Sequence, residues 1–141
     1  MARTAVEADP RLIAFMLPGI PESVRIARFH IRAALGFCRL GEYADDAEAI
    51  TGELVANAIQ HACAGGTETI GVTLACTRNP EAVTVTVTDS SPQGPVKREP
   101  SDCSERGRGL LIVGELSVHW GWNLEDGGKA VYAILAKETA R

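Results

Sequence analysis

The sequence lacks the features that mark membrane, secreted and metal-binding proteins. It has no apolar run near the roughly 20 residues needed to span a bilayer, and its first residues do not show the basic-then-apolar layout of a signal peptide. Its four cysteines form no CxxC pair and have no histidine at zinc-like spacing beside them. We therefore expect a cytoplasmic protein with reduced thiols and no membrane contact.

The chain also lacks an excess of basic residues. Its net charge is −4 at pH 7, whereas nucleic-acid binding usually depends on a basic patch that neutralises phosphates. Any effect on transcription is therefore expected to act through another protein. The 141 residues contain no internal repeat and are 45% hydrophobic, which predicts one domain spanning residues 1–141 with a substantial core.

Apolar periodicity predicts the order strand, two helices, two strands, loop, helix, two strands. The predicted elements are a strand over Arg11–Leu17, helices over Ser23–Phe37 and Asp45–Ala62, a hairpin turning at Thr77–Pro80, a loop over Ser90–Arg106, a helix over Gly109–Leu116, and strands around Trp120 and over Lys129–Ala136. This order predicts an α+β fold, in which a mixed, mostly antiparallel sheet is covered on one face by about three helices.

The second predicted helix carries polar residues at the margin of its apolar face. At about 100° per residue, Glu53, Asn57 and His61 fall in one sector roughly 80° wide. A carboxylate and an amide one turn apart can hold a hydrated magnesium ion and accept a proton. The alternative is the ordinary polar edge of an amphipathic helix, and spacing alone leaves both interpretations open.

Asp89 ends a strand whose alternation places it on the same face as Val83, Val85 and Val87. A buried carboxylate needs a hydrogen-bond donor, and the amino group of adenine is one. The alternative is a strand-ending aspartate that caps the following Ser-Ser-Pro turn.

Two glycines, Gly107 and Gly109, precede the short third helix, with Arg106 and Arg108 beside them. Glycines allow backbone amides to approach an anion, and a helix N-terminus adds its dipole, so this stretch is a candidate phosphate cradle. It is not a Walker A loop, and a GxG alone more often marks a turn.

The fixed order of these three motifs resembles the N, G1 and G2 boxes of the GHKL, or histidine-kinase-like, ATPase superfamily. The resemblance extends over about residues 11–136. Within it, the runs ELVANAIQHA, VTVTVTDSSP and RGRGLLIV and the pair Trp120-Gly121 are most similar to anti-sigma factor serine kinases and their actinobacterial relatives.

The resemblance implies the two-layer α/β sandwich known as the Bergerat fold, with ATP held between the second helix and a lid at about residues 90–108. It further implies that Asn57 binds Mg²⁺ and the nucleotide, that Asp89 bonds the adenine amino group, and that Glu53 is the general base. Arg106, Gly107, Arg108, Gly109 and Leu110 would lie against the phosphates.

Three functions remain open at this stage. The resemblance favours a serine/threonine kinase that sequesters a sigma factor and phosphorylates a STAS-type anti-anti-sigma partner, and it is compatible with a homodimer. The second is an ATP-binding adaptor that transfers no phosphate. It is favoured by Ser91, which stands where the G1 box usually has its first glycine. A detached histidine-kinase domain is disfavoured because no helix carries a phosphoacceptor histidine.

Overall fold

A computed structural model of the chain describes residues 11–62, 68–90, 109–125 and 127–137. The helices are α1 (Glu22–Phe37), α2 (Ala44–Ala62) and α3 (Gly109–Leu116), with a short 3-10 turn at Gly41–Tyr43 before α2. The strands are β1 (Arg11–Pro18), β2 (Thr69–Arg78), β3 (Glu81–Asp89), β4 (His119–Glu125) and β5 (Gly128–Leu135). The predicted order of helices and strands is confirmed, and the helix bounds agree to within one residue. The predicted loop over Ser90–Arg106 lies, apart from Ser90, outside the described residues.

Five strands form one sheet in the order β1-β2-β3-β5-β4. The α+β class and the mostly antiparallel sheet are confirmed, and the expected parallel component is not seen, because every strand pair among the described residues is antiparallel. The reason is connectivity: β2–β3 and β4–β5 are hairpins, and after α3 and β4 the chain returns along β5 in the direction opposite to β3.

The hydrophobic core lies between the sheet and the helices. Helix α2 is central, since it contacts α1 and α3 as well as strands β2, β3 and β5. Fully buried side chains include Ile31, Leu35, Ile50, Val55, Val72, Leu74, Val83, Val85, Val87 and Val113. Burying a side chain of this size stabilises the fold by about 1.5–3 kcal/mol.

Strand β3 alternates as its sequence predicts. Val83, Val85 and Val87 are buried, and the threonines between them are half-buried on the opposite face. The same alternation brings Asp89 onto the helix-covered face, where it is buried. This prediction is confirmed, and it places an acidic side chain under α2.

The end of α1 needs a left-handed residue. Arg39 has φ 62°, which lies in the left-handed region that residues other than glycine rarely adopt. This turn lets the Leu40 N–H donate to the Leu35 carbonyl at 2.8 Å, which caps the helix and leads the chain into α2. No helix in the described ranges is both long and apolar enough to cross a membrane.

Candidate functional site

The predicted polar sector of α2 lines an open cavity. Glu53 and Asn57 are both half-buried, and they share this cavity of about 460 Å³ with Gln60 from the same helix and Gly109 from α3. Arg28 of α1 also lines it. The volume falls in the range of small-molecule sites, roughly 300–1,000 Å³.

Glu53 lies against the first residue of α3. A Cβ atom added to Gly109 would lie only 2.6 Å from Glu53 Oε1, so a residue without a side chain is what allows this approach. The carboxylate thus sits at the N-terminus of a helix, where the helix dipole favours negative charge. The structure therefore brings together two parts of the predicted site that are more than 50 residues apart in sequence, Glu53 and Gly109.

Asp89 is paired with a residue that the sequence did not suggest. The Lys129 ammonium lies 2.9 Å from Asp89 Oδ2 and donates a hydrogen bond to Oδ1 at 3.0 Å. The side chain of Asp89 is 1% exposed and that of Lys129 is 4% exposed. Such a charge-assisted contact satisfies a carboxylate that would otherwise be costly to bury.

The sheet register explains this pairing. Asp89 is the direct cross-strand partner of Lys129 between β3 and β5. The neighbouring Gly128 packs directly against the backbone of Asp89. A Cβ atom added to Gly128 would lie 1.8 Å from the Asp89 carbonyl oxygen. The backbone around the carboxylate is therefore fixed by contacts on both strands.

A second, much smaller cavity of about 10 Å³ adjoins the Asp89–Lys129 pair. Asn57 lines this cavity as well as the larger one, so it lies between the two. His61, the third member of the helical sector, also lines the small cavity. A space of this size holds about one water molecule at most.

Several predicted site residues lie outside the described residues: Arg106, Gly107, Arg108 and the proposed lid apart from Ser90. Leu110 is described, and the residue as a whole is 3% exposed and belongs to the core. Any contact of Leu110 with a phosphate would therefore use its backbone N–H.

Sequence reasoning missed Lys129 and Gly128. A signal for Lys129 was present, since β5 alternates and a lysine falls on the same face as the buried Val131 and Ala133. Lysine is almost never buried without a partner, so its position predicts a buried acid nearby. The role of Gly128 depends on β5 approaching Asp89 closely, which local sequence does not reveal.

Comparisons with known proteins identify the family of the chain and a solved structure with a similar fold. The family model of the histidine kinase-like ATPase domain matches residues 17–135, and the chain belongs to this family. No curated protein matches the chain at a significant level. Among solved structures, the fold is similar to the crystal structure of the RsbU and RsbW domains of Rv1364c from Mycobacterium tuberculosis, with a TM-score of 0.63 and 17% identity. The match covers 89% of this chain and 32% of that one.

The donor groups at the cavity fit a magnesium ion bound together with a nucleotide. Among the residues that the structure describes, no cluster of three or more His, Cys, Asp or Glu side chains is arranged to hold a metal. Mg²⁺ is usually held by one or two protein oxygens together with water and substrate phosphates. The amide oxygen of Asn57, one helical turn from the Glu53 carboxylate, is a suitable single protein ligand.

Proposed function

We propose that the chain is an ATP-dependent serine/threonine kinase that acts as an anti-sigma factor. In this proposal it binds a sigma factor and phosphorylates a STAS-type anti-anti-sigma protein. It works in the cytoplasm, with a homodimer as its expected assembly. The observation that carries the proposal is the meeting of Glu53, Asn57 and Gly109 at one cavity in a histidine kinase-like ATPase domain.

The proposed chemistry needs little beyond positioning and charge neutralisation. Asn57 would hold Mg²⁺, which neutralises charge on the triphosphate, and the N-terminus of α3 would face the phosphates. Glu53 would accept the proton of the partner's hydroxyl as that oxygen bonds to the γ-phosphorus and ADP leaves. Glu53 favours the kinase over a pure binding module, because a protein that transfers no phosphate has no need of a base at this position.

An ATP-binding adaptor is the second candidate, and one observation favours it. Asp89, the residue proposed to bond adenine, already has both carboxylate oxygens within hydrogen-bond distance of Lys129. A site with such a contact would bind nucleotide weakly, which suits regulation by stoichiometric binding better than turnover.

The experiment is a transfer assay with γ-labelled ATP and purified STAS-type candidates, combined with calorimetric titration of ATP with and without Mg²⁺. Glu53→Gln is expected to bind ATP normally and to lose transfer by about 10²- to 10⁴-fold, the usual contribution of a general base. Asn57→Ala is expected to lose the magnesium-dependent part of ATP binding.

Gln60→Ala serves as the matched control, because Gln60 lines the same cavity on the same helix and has no proposed role. It should retain transfer within a few-fold. Saturable, magnesium-dependent binding without labelling of any candidate would favour the adaptor. Equal transfer by Glu53→Gln and the natural chain would exclude Glu53 as the base.

A further inference from the structure

Lys129 offers Asp89 the same kind of contact that a nucleotide base would offer. An adenine amino group can donate two hydrogen bonds, and a lysine ammonium can donate three. The ammonium of Lys129 lies 2.9 and 3.0 Å from the two oxygens of Asp89. The protein therefore places its own nitrogen donor against the carboxylate proposed to recognise the base.

The internal donor is the stronger of the two. Hydrogen bonds between charged partners are roughly twice as strong as those between neutral groups, and the amino group of adenine carries no charge. The pair is also shielded from water, since the side chains of Lys129 and Asp89 are 4% and 1% exposed. A base that displaced the ammonium would leave a buried cation without its partner, which is costly.

The space around the Asp89–Lys129 pair also favours the ammonium over a base as the partner of Asp89. The adjoining cavity of about 10 Å³ cannot hold a purine, whereas the cavity beside Glu53 and Gly109 has about 460 Å³. Asn57 lines both, so the small pocket beside the pair and the open cavity border the same side chain. With the ammonium on Asp89, the space left beside the pair is too small for a base, so a base can reach the carboxylate only where the ammonium gives way.

A purely structural role explains this arrangement less well. Replacing a buried ion pair by apolar residues of similar volume is often neutral or stabilising, so stability gives little reason for a lysine at this position. Asp89 and Lys129 lie at the ends of their strands and against the candidate site, together with Asn57 and His61. Their placement connects the pair to ligand binding.

We propose that Lys129 sets the nucleotide affinity and base selectivity of this site by competing with the adenine amino group for Asp89. The inference rests on the proposed function, since it presumes a nucleotide in the cavity. Its consequence is that the natural chain gains little from an amino group on the purine, and that removing the ammonium restores this gain.

The test compares two ligands in two proteins by calorimetric titration with Mg²⁺. The ligands are ATP and purine riboside triphosphate, which lacks only the amino group. The natural chain is expected to bind them within about threefold of each other. Lys129→Met is expected to bind ATP about 10- to 100-fold more tightly than the analogue, the range for one hydrogen bond to a charged group.

Lys137→Met is the matched control, because Lys137 follows β5, is 69% exposed and pairs with Glu42 outside the site. It should behave as the natural chain does. Lys129→Met/Asp89→Asn should lose the preference for ATP again, since its carboxylate is gone. Circular dichroism melts establish that each variant is folded. If Lys129→Met alone fails to fold, the natural chain still tests the inference, because a strong preference for ATP there would overturn it.

Each outcome is decisive. A preference for ATP above tenfold in the natural chain would overturn the inference, as would an unchanged preference in folded Lys129→Met, and either would leave the proposed function standing. Binding of ATP by Lys129→Met but not by the natural chain would support the inference and contradict a working kinase. If no folded protein binds either ligand, both the proposed function and the inference are wrong.

Discussion

The two ends of strand β3 each carry a carboxylate, and the two are held in different ways. At the start of the strand, Glu81 is half-buried and accepts a hydrogen bond from the neutral Tyr43 hydroxyl at 2.8 Å. At the other end, Asp89 is almost completely buried and is held by the Lys129 ammonium. One strand thus shows two solutions to the same physical problem.

The difference teaches how burial determines the kind of partner that a carboxylate has. Where water still reaches the carboxylate, a neutral donor is enough, because little solvation has been lost. Where water is excluded, a charged donor makes the stronger hydrogen bond that offsets more of the lost solvation. In the proposed nucleotide site, such a charge would also compete with a ligand, because the pair lies beside a cavity. Substitutions near Asp89 should therefore affect ATP binding, and substitutions near Glu81 should affect only the free energy of unfolding.

The largest expected effect comes from Gly128→Ala, which disrupts the packing of β5 against Asp89 at the end of β3. The new Cβ atom would lie 1.8 Å from the Asp89 carbonyl oxygen, and a backbone atom cannot move aside cheaply. We expect a loss of about 3 kcal/mol in the free energy of unfolding, measured by urea denaturation, together with weakened ATP binding.

Gly36→Ala is the control for this substitution, because a Cβ atom at Gly36 in α1 would meet nothing within 4 Å. It should be neutral or stabilise the protein by up to about 1 kcal/mol. If Gly128→Ala were as stable as Gly36→Ala, the close packing of β5 against Asp89 would be wrong.

A smaller effect, confined to function, is expected from Gly109→Ala. The added Cβ would meet the end of the flexible Glu53 side chain at 2.6 Å, so Glu53 should move while the fold is kept. Displacing a proposed base by about 1 Å should reduce phosphate transfer up to about 100-fold. The free energy of unfolding should change by less than about 1 kcal/mol.

Gly114→Ala in the same helix is the matched control, since its Cβ would make only an ordinary 3.4 Å contact with Trp120. It should keep full transfer activity. A Gly109→Ala protein with normal transfer would show that the contact between Glu53 and α3 does not matter for the reaction.

Local patterns in the sequence predicted most of the fold. The period of the apolar residues identified α1, α2, α3 and the β2–β3 hairpin, and alternation correctly put Asp89 on the buried face of β3. Helical spacing likewise identified Glu53 and Asn57 as neighbours on one edge of α2. These features depend on residues a few positions apart, which is the range over which sequence patterns are informative.

Features that depend on distant residues were not predictable in this way. Lys129 meets Asp89 across 40 residues, and that contact follows from the register of β3 with β5. The parallel component expected of the sheet was wrong for the same reason, because the relative direction of two strands is set by which strands pair and not by either strand alone. Burial of a lysine on an apolar strand face was the one local sign of the missing contact.

The smallest expected effect lies at the Glu81 end, in Tyr43→Phe. Burial, and then the hydrogen bond to Glu81 and its charge, raise the pKa of Tyr43 to about 12. Because the folded pKa lies above the ordinary value near 10, this contribution to stability is complete below pH 10 and is lost between about pH 10 and 12.

Tyr43→Phe should cost about 1 kcal/mol at pH 7, measured by urea denaturation. That difference should narrow at pH 11, since only the natural chain loses the contribution, and it should narrow less when both proteins carry Glu81→Gln. A difference that stays constant with pH would show that Tyr43 does not titrate as its surroundings require.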